Sequence, residues 1–184
     1  MAKLIFGITG EMGSGKGVVS KYIEQKYKAG KHRFSTMLRD VLKRMYIEES
    51  RENMANLSLT FRKNFGEDVF AKTMYHDVEK DEHDIVVIDG VRRMADIVYL
   101  KDLPYFKLIY IDADLEARYK RVVDRDENDN DSEKTLDDFK KDQELESEAQ
   151  ISDLRNYAEH IVDNNGTYRD LYGQIDEIIK QYLK

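Results

Sequence analysis

Residues 4–17 read LIFGITGEMGSGKG, an apolar run followed by a glycine-rich turn and a lysine. After Lys16 the apolar residues change period, and Val19, Tyr22 and Ile23 recur at helical spacing. The glycines allow the backbone to curl so that successive N–H groups point into one concavity, and the N-terminus of the following helix adds partial positive charge. The order of strand, glycine-rich turn, lysine and helix therefore predicts a phosphate-binding loop.

The predicted loop is expected to bind the phosphates of a nucleotide. The ammonium of Lys16 would supply a point charge for the β- and γ-phosphates. Gly17 stands where many such loops carry the Ser or Thr that holds Mg²⁺ directly, so the metal must be held through water and by carboxylates. The alternative is a helix N-terminus with flexible glycines and an exposed lysine, and the coincidence of strand, glycines, lysine and helix favours the loop. The residues expected to contact the nucleotide here are Gly10, Gly13, Ser14, Gly15, Lys16, Gly17 and Val18.

The composition is that of one globular domain, predicted to span residues 1–184. Hydrophobic residues make up 41% of the chain and charged residues 36%, which is enough to bury a core and keep a polar surface. No apolar run approaches the roughly 20 residues that cross a bilayer, and the absence of cysteine excludes disulfides and thiolate chemistry. The formal net charge of −7 argues against nucleic acid as a partner. Together these features favour a cytoplasmic protein without a membrane segment.

Apolar, often β-branched runs alternate with helical patterns along the chain. The runs lie at residues 3–9, 32–35, 84–89, 106–111 and 160–163, and the helical patterns include residues 94–101 and 136–149. This alternation predicts a three-layer α/β fold, with a five-stranded parallel sheet and helices on both faces. Ligands of such sheets bind beyond the carboxyl ends of the strands. The residues that follow the strands are therefore expected to line one edge.

Three arginines follow the fourth predicted strand at spacing i, i+3 and i+7. Arg118, Arg121 and Arg125 share one face of a helix predicted over 115–125. An arginine stripe near a phosphate loop suits the charge that spreads over a phosphoryl group during transfer. The alternative is a solvated helix face paired with nearby acids, and the phosphate loop in the same chain favours the functional interpretation.

A second group of candidates surrounds Asp89. An aspartate at the end of a buried strand can hold Mg²⁺ through water or orient an attacking hydroxyl. Arg92 and Arg93, which follow it, could grip a substrate phosphate, and Arg39 is a further candidate. The alternative is a strand-terminating Asp-Gly turn.

The sequence resembles the adenylate-type nucleoside monophosphate kinases at its phosphate loop, because glycine follows the lysine. Residues 34–39, Phe-Ser-Thr-Met-Leu-Arg, resemble the segment that opens the monophosphate-binding helix of that family. Residues 87–93 are similar to the segment with which that family grips the acceptor phosphate. This resemblance implies a P-loop NTPase fold with a short lid, here residues 118–140, and a helical acceptor-binding insertion at residues 36–80. It also implies substrate contacts by Ser35, Arg39 and either Arg92 or Arg93.

The C-terminal third resembles a second family, the dephospho-CoA kinases. Residues 161–166 and the helix after them look like the end of those enzymes, where the loop borders the adenine. The resemblance implies nucleotide contacts by Asn165 and Gly166. The stretch from Arg118 to Arg125 resembles the lid arginines of both families.

These observations predict a kinase that uses ATP and Mg²⁺. Lys16 and the loop amides would hold the donor, while Arg118, Arg121 and Arg125 would stabilise the transferring group. Asp89 would hold the metal or organise the attacking oxygen. The expected acceptor is a nucleoside monophosphate, and the alternative acceptor is dephospho-CoA. A second class of hypothesis is a nucleotide-dependent switch or regulatory ATPase without a small-molecule acceptor.

Overall fold

The computed structural model describes residues 4–125, 135–143 and 150–183. Its centre is a five-stranded sheet in the order β2-β3-β1-β4-β5, in which every neighbouring pair is parallel. The five-stranded parallel sheet predicted from the alternating pattern is therefore confirmed. The strands are β1 (Leu4–Thr9), β2 (Gly30–Arg33), β3 (Ile85–Asp89), β4 (Phe106–Asp112) and β5 (His160–Asp163).

The helices connect the strands on the two faces of the sheet. Short 3-10 turns at Met94–Ile97 and Arg155–Tyr157 complete the connections. The helices are α1 (Lys16–Tyr27), α2 (Phe34–Arg44), α3 (Arg51–Phe65), α4 (Val69–Lys80), α5 (Leu115–Arg125), α6 (Leu136–Gln143), α7 (Ile151–Leu154) and α8 (Tyr168–Tyr182).

Alternate residues of the strands bury into two separate cores, as the two-residue period of a strand requires. In β1, Phe6 and Ile8 face one core with α1 and α8, whereas Ile5 faces the other core with α4. Both faces are thus covered, which is why the central strands read as continuous apolar runs. The carboxyl ends of all five strands meet at one edge, where the glycine-rich loop leaves β1.

Two predicted elements differ in their bounds from the observed ones. The second strand begins earlier than predicted and ends at Arg33, because its register pairs Gly30 with Val86 and Arg33 with Asp89, the last residue of β3. The helix predicted over 94–101 is only a 3-10 turn, Met94–Ile97. Of the helix predicted over 136–149, the structure describes Leu136–Gln143, and the remainder lies outside the described residues.

The segment 36–80, which the sequence predicts to be a helical acceptor-binding insertion, is largely helical. It forms most of α2 and all of α3 and α4. Helix α4 packs Met74 and Val78 into the core, whereas residues 52–65 of α3 include no buried residue. Helix α3 therefore stands at the rim of the fold. Within the described residues, none of the helices combines the length and the apolar character needed to cross a membrane.

Candidate active site at the carboxyl edge of the sheet

The glycine-rich loop takes backbone conformations that L side chains rarely adopt. The φ angles are +142° at Gly10, +77° at Gly13 and +101° at Gly15. Space is also restricted: a Cβ on Gly13 would lie 2.4 Å from the carbonyl oxygen of Arg118, and one on Gly15 would lie 2.3 Å from Nδ2 of Asn164. Glycine is therefore required at these positions by conformation and by close packing.

Gly17, unlike the other glycines of the loop, has room for a side chain, so alanine variants at Gly15 and Gly17 should have different effects. A Cβ on Gly17 would have no atom within 4 Å, and the residue lies in the first turn of α1. Gly15→Ala should lower the free energy of unfolding by about 2 kcal/mol or more, because it adds backbone strain and a clash. Gly17→Ala should instead raise it by up to about 1 kcal/mol through helix propensity. Urea denaturation of the two variants measures this, and equal effects would contradict the assigned geometry.

The side chain of Lys16, the first residue of α1, folds back onto the glycine-rich loop. Its Nζ donates hydrogen bonds to the carbonyl oxygens of Gly10 at 2.5 Å and Glu11 at 2.9 Å. Helix α1 begins at Lys16 with no acidic residue in its first turn, and no described side chain caps it. Its N-terminal N–H groups and the ammonium therefore form one positive concavity at the edge of the sheet, suited to an anion.

Arg118 is a buried residue that is fixed to the loop. Its Nη2 pairs with Glu11 at 3.1 Å, and its Nη1 donates to the carbonyl oxygen of Met12 at 3.3 Å and to Oε1 of Gln143 at 2.9 Å. Its Nε donates to the carbonyl oxygen of Ala113 at 3.0 Å. The guanidinium thus balances the one acidic side chain within the loop and supports the loop backbone.

Arg121 and Arg125 lie further along the same helix. Arg121 donates from Nη2 to the carbonyl oxygen of Asn164 at 2.6 Å, while its Nη1 is buried and has no acceptor among the described residues. Arg125 ends α5, and its side chain lies outside the described part of the structure. The predicted stripe therefore contains one arginine bonded to the phosphate loop and one bonded to the loop after β5.

Asp89 ends β3, beside the strand that leads into the phosphate loop. It is only 4% exposed, and its Oδ2 lies 3.5 Å from Nε of Arg33, which is half-exposed at the end of β2. The described residues contain no group of three or more His, Cys, Asp or Glu side chains that could hold a metal. Mg²⁺ commonly keeps several waters and binds through one or two carboxylates and substrate phosphates, so Asp89 with the phosphate concavity fits that ion.

The predicted acceptor-binding residues lie on the segments that follow β2 and β3. Ser35, in the first turn of α2, has a buried Oγ with no hydrogen-bond partner among the described residues. Arg39 pairs with Glu49 at 3.1 Å. Arg92 is exposed and Arg93 is partly buried, directly after β3. These side chains belong to neighbouring strand ends on the β2–β3 side of the sheet, opposite β5.

A buried ion pair holds the segment after β3 in place. Asp96, 4% exposed, accepts from the backbone N–H groups of Arg92 at 3.0 Å and Arg93 at 3.1 Å through Oδ2. Its Oδ1 accepts from Nη2 of Arg62 in α3 at 3.1 Å. Asp96 therefore fixes the backbone that carries the two candidate arginines and also anchors α3 against it.

Removing this carboxylate should destabilise the fold. Asp96→Ala leaves the buried Arg62 with only the exposed carboxylate of Glu67, at 3.9 Å, and leaves two N–H groups without their acceptor, so the free energy of unfolding should fall by about 3 kcal/mol. Asp102→Ala, at an exposed aspartate of the same connection, is the control and should change it by at most about 0.5 kcal/mol. Both values follow from urea denaturation, and a loss below about 1 kcal/mol for Asp96→Ala would refute this role.

The loop after β5 reaches both the phosphate loop and α5. Asn164 donates from Nδ2 to the carbonyl oxygen of Ser14 at 2.7 Å, and Oδ1 of Asn165 accepts from the N–H of Asp114 at 2.8 Å. Gly166 follows in an exposed turn. Asn165 and Gly166, which the sequence predicts to border the nucleotide, therefore lie beside the start of α5.

One ionisable side chain in β4 has a clearly shifted pKa. Burial, together with the negative charges of Glu11 and Asp112, raises the pKa of Tyr110 to about 12. Its phenol therefore stays protonated throughout the physiological range. Tyr110 can serve as a neutral support beside the loop and not as a proton acceptor.

Three residues of this edge have no role in the sequence prediction. They are Arg33, Arg62 and Asp96, and their partners lie far away in sequence. Asn164 directly follows a predicted strand and is therefore expected at this edge, but no local pattern predicts the partner of its side chain. For Arg33 the only sequence signal was its place at the end of a weak strand.

Comparisons with known proteins identify the family. A model of the AAA_18 family, described as an AAA domain, matches residues 7–151, and the chain belongs to this family. A UPF0200 protein of Saccharolobus islandicus is 26% identical over 181 residues, which cover 96% of this chain and 93% of that protein.

Solved structures show the same fold. The structure of TT1252 from Thermus thermophilus matches all of this chain and all of its own, with a TM-score of 0.65 and 19% identity. A shikimate kinase from Bacteroides thetaiotaomicron matches 97% of each chain, with a TM-score of 0.63 and 13% identity. Together with the parallel sheet and the glycine-rich loop, these matches establish the P-loop NTPase-like fold.

Proposed function

We propose that the protein is an ATP-dependent phosphotransferase that moves the γ-phosphoryl group of ATP to a small, nucleoside monophosphate-like acceptor. The proposal is supported chiefly by the relation of the phosphate loop to Asp89. The loop leaves β1 after Thr9 and ends at Lys16, and Asp89 is the last residue of β3, the strand that pairs with β1. A cationic phosphate concavity thus adjoins a buried carboxylate and the arginines that follow β3. The similarity of the fold to that of shikimate kinases supports small-molecule phosphoryl transfer as the class of reaction.

On the donor side, the loop and α1 would hold the triphosphate. Gly10, Gly13 and Gly15 would bring backbone N–H groups close to the phosphates, and Lys16 would exchange its bonds with the loop carbonyls for phosphate oxygens. Bound Mg²⁺ would neutralise developing charge on the β- and γ-phosphates. Asp89 would hold it through water, because residue 17 offers no hydroxyl.

During transfer, the acceptor oxygen would attack the γ-phosphorus while the bond to the β–γ bridging oxygen breaks and ADP leaves. The acceptor proton would pass to Asp89 or to solvent. Nη1 of Arg121 has no acceptor among the described residues and would stabilise the equatorial oxygens. Arg118 is held by the loop and would act by keeping it in shape, whereas Arg125 remains a predicted lid residue.

On the acceptor side, the charge distribution favours an anionic small molecule. Arg39, Arg92 and Arg93 follow β2 and β3, where Arg33 already balances Asp89. A monophosphate placed there would be held by bidentate arginine contacts, with its attacking oxygen directed at the donor. The helical segment 36–80 would form the wall of this site, and Ser35 would contact the acceptor.

The assay described below also distinguishes two other activities. A dephospho-CoA acceptor would use the same donor side and require a longer groove along 36–80. A regulatory ATPase or switch would pass phosphate slowly to water and show no acceptor dependence.

The proposal is tested by a coupled assay of ADP release from Mg-ATP. Each nucleoside and deoxynucleoside monophosphate is tested separately, together with dephospho-CoA and shikimate. The proposal predicts stimulation by at least one monophosphate. Stimulation by dephospho-CoA or shikimate alone would reassign the acceptor, and no stimulation by any of them would favour the ATPase or switch.

A further inference from the structure

Asn164 lies at the end of β5 with its side chain buried against the phosphate loop. It is 4% exposed, and its Nδ2 donates to the carbonyl oxygen of Ser14 at 2.7 Å. That carbonyl belongs to the same peptide unit as the N–H of Gly15. In a trans peptide the two groups point in opposite directions. The contact therefore directs the Gly15 N–H away from Asn164.

The packing around this contact leaves little freedom. A Cβ on Gly15 would lie only 2.3 Å from Nδ2 of Asn164, so the amide occupies the space that a side chain at residue 15 would need. The backbone N–H of Asn164 donates to the carbonyl oxygen of Asp112 at 2.8 Å, which fixes the residue to the end of β4. The sheet thus fixes the backbone from which the side chain of Asn164 extends.

The same residue also orients an arginine of α5. The carbonyl oxygen of Asn164 accepts from Nη2 of Arg121 at 2.6 Å, and the buried Nη1 of Arg121 has no acceptor among the described residues. One residue therefore contacts both the loop peptide and the guanidinium proposed to stabilise the transferring group.

We infer that Asn164 is a positioning residue of the phosphate site, which orients the 14–15 peptide through its side chain and Arg121 through its carbonyl. This inference rests on the proposed nucleotide site. Asn164 acts on the phosphates through the loop and needs no contact with the base. Its removal should therefore weaken a ligand made only of phosphates as much as it weakens ATP.

The test measures dissociation constants for ATP and for tripolyphosphate by titration calorimetry, both with Mg²⁺. Asn164→Ala should weaken both ligands by a similar factor of about ten to a hundred, since the 14–15 peptide loses its partner. The matched control is Gln174→Ala. Gln174 donates from Nε2 to the carbonyl oxygen of Asp163 at 2.8 Å, so it makes the same type of bond at the same strand, away from the loop. This variant should bind both ligands as the wild type does.

A second variant separates positioning from loss of folding. Asn164→Asp keeps the shape of the side chain but has no N–H to donate, and its loss of affinity should be at least as large. Circular dichroism establishes that each variant is folded at the temperature of the titration. Unchanged tripolyphosphate affinity in both folded variants would overturn the inference, even if the affinity for ATP fell. Asn164 would then act only on the adenine base of the nucleotide and not on its phosphates. Failure of the wild type to bind ATP would instead overturn the proposed function.

Discussion

Replacing Lys16 with alanine is expected to reduce phosphoryl transfer by about three orders of magnitude while leaving the protein folded. The ammonium is the cation at the end of the loop, and in the free protein it donates to two carbonyl oxygens of that loop. Those bonds are partly exposed, so their loss should lower the free energy of unfolding by no more than about 1 kcal/mol. Because the charge acts on the transferring group, kcat should fall together with kcat/KM.

The control for this variant is Lys21→Ala in the same helix. Lys21 is exposed on α1 and has no role in the proposed site, so its loss should leave turnover within about twofold of the wild type. Initial rates of ADP release with the best acceptor measure both variants. Near-normal turnover in Lys16→Ala would remove the loop from the mechanism.

Replacing Asp89 with asparagine is expected to reduce turnover by about a hundredfold or more. The substitution keeps the shape of a buried side chain at the end of β3 and removes its charge, so it tests chemistry and not packing. Arg33 loses its counter-charge but is half-exposed, and the fold should tolerate this. Asp84→Asn is the control, since Asp84 is exposed and directly precedes β3 at its opposite end.

The dependence on Mg²⁺ distinguishes the two proposed roles of Asp89. If the carboxylate holds the metal, Asp89→Asn should raise the Mg²⁺ concentration required for half-maximal activity. If it orients the attacking phosphate oxygen or accepts its proton, kcat should fall while that concentration stays unchanged. Activity and Mg²⁺ dependence that both match the wild type would exclude Asp89 from the site.

The elements of the fold could be predicted from sequence because their signals are local. The buried strands are continuous apolar runs, and the phosphate loop combines glycines and Lys16 within a few residues. The strand at Gly30–Arg33 was harder to place, because it lies at an edge and its bounds depend on its register with β3. The sequence around the 3-10 turn at Met94–Ile97 predicts an α-helix, because over a single turn the apolar residues have the same spacing in both kinds of helix.

The contacts that complete the site depend on residues far apart in the chain. Asn164 and Ser14 are separated by 150 positions, and Arg62 and Asp96 by 34. No local pattern predicts such pairs. The arginines of α5 show what helical spacing alone does not predict. Spacing places Arg118 and Arg121 on one side of the helix, but only the packing of α5 shows that Arg118 is bonded to the loop.

We propose that this edge of the sheet transfers a phosphoryl group to a small molecule and not to water. The most direct test incubates the protein with ATP labelled in the γ-phosphate and a mixture of nucleoside monophosphates, and then separates the labelled products. We expect the label to appear in an organic phosphate of the acceptor in equal amount to the ATP consumed, and Lys16→Ala to abolish its formation. Label found only as inorganic phosphate, at a rate that the acceptors do not change, would contradict transfer to a small molecule.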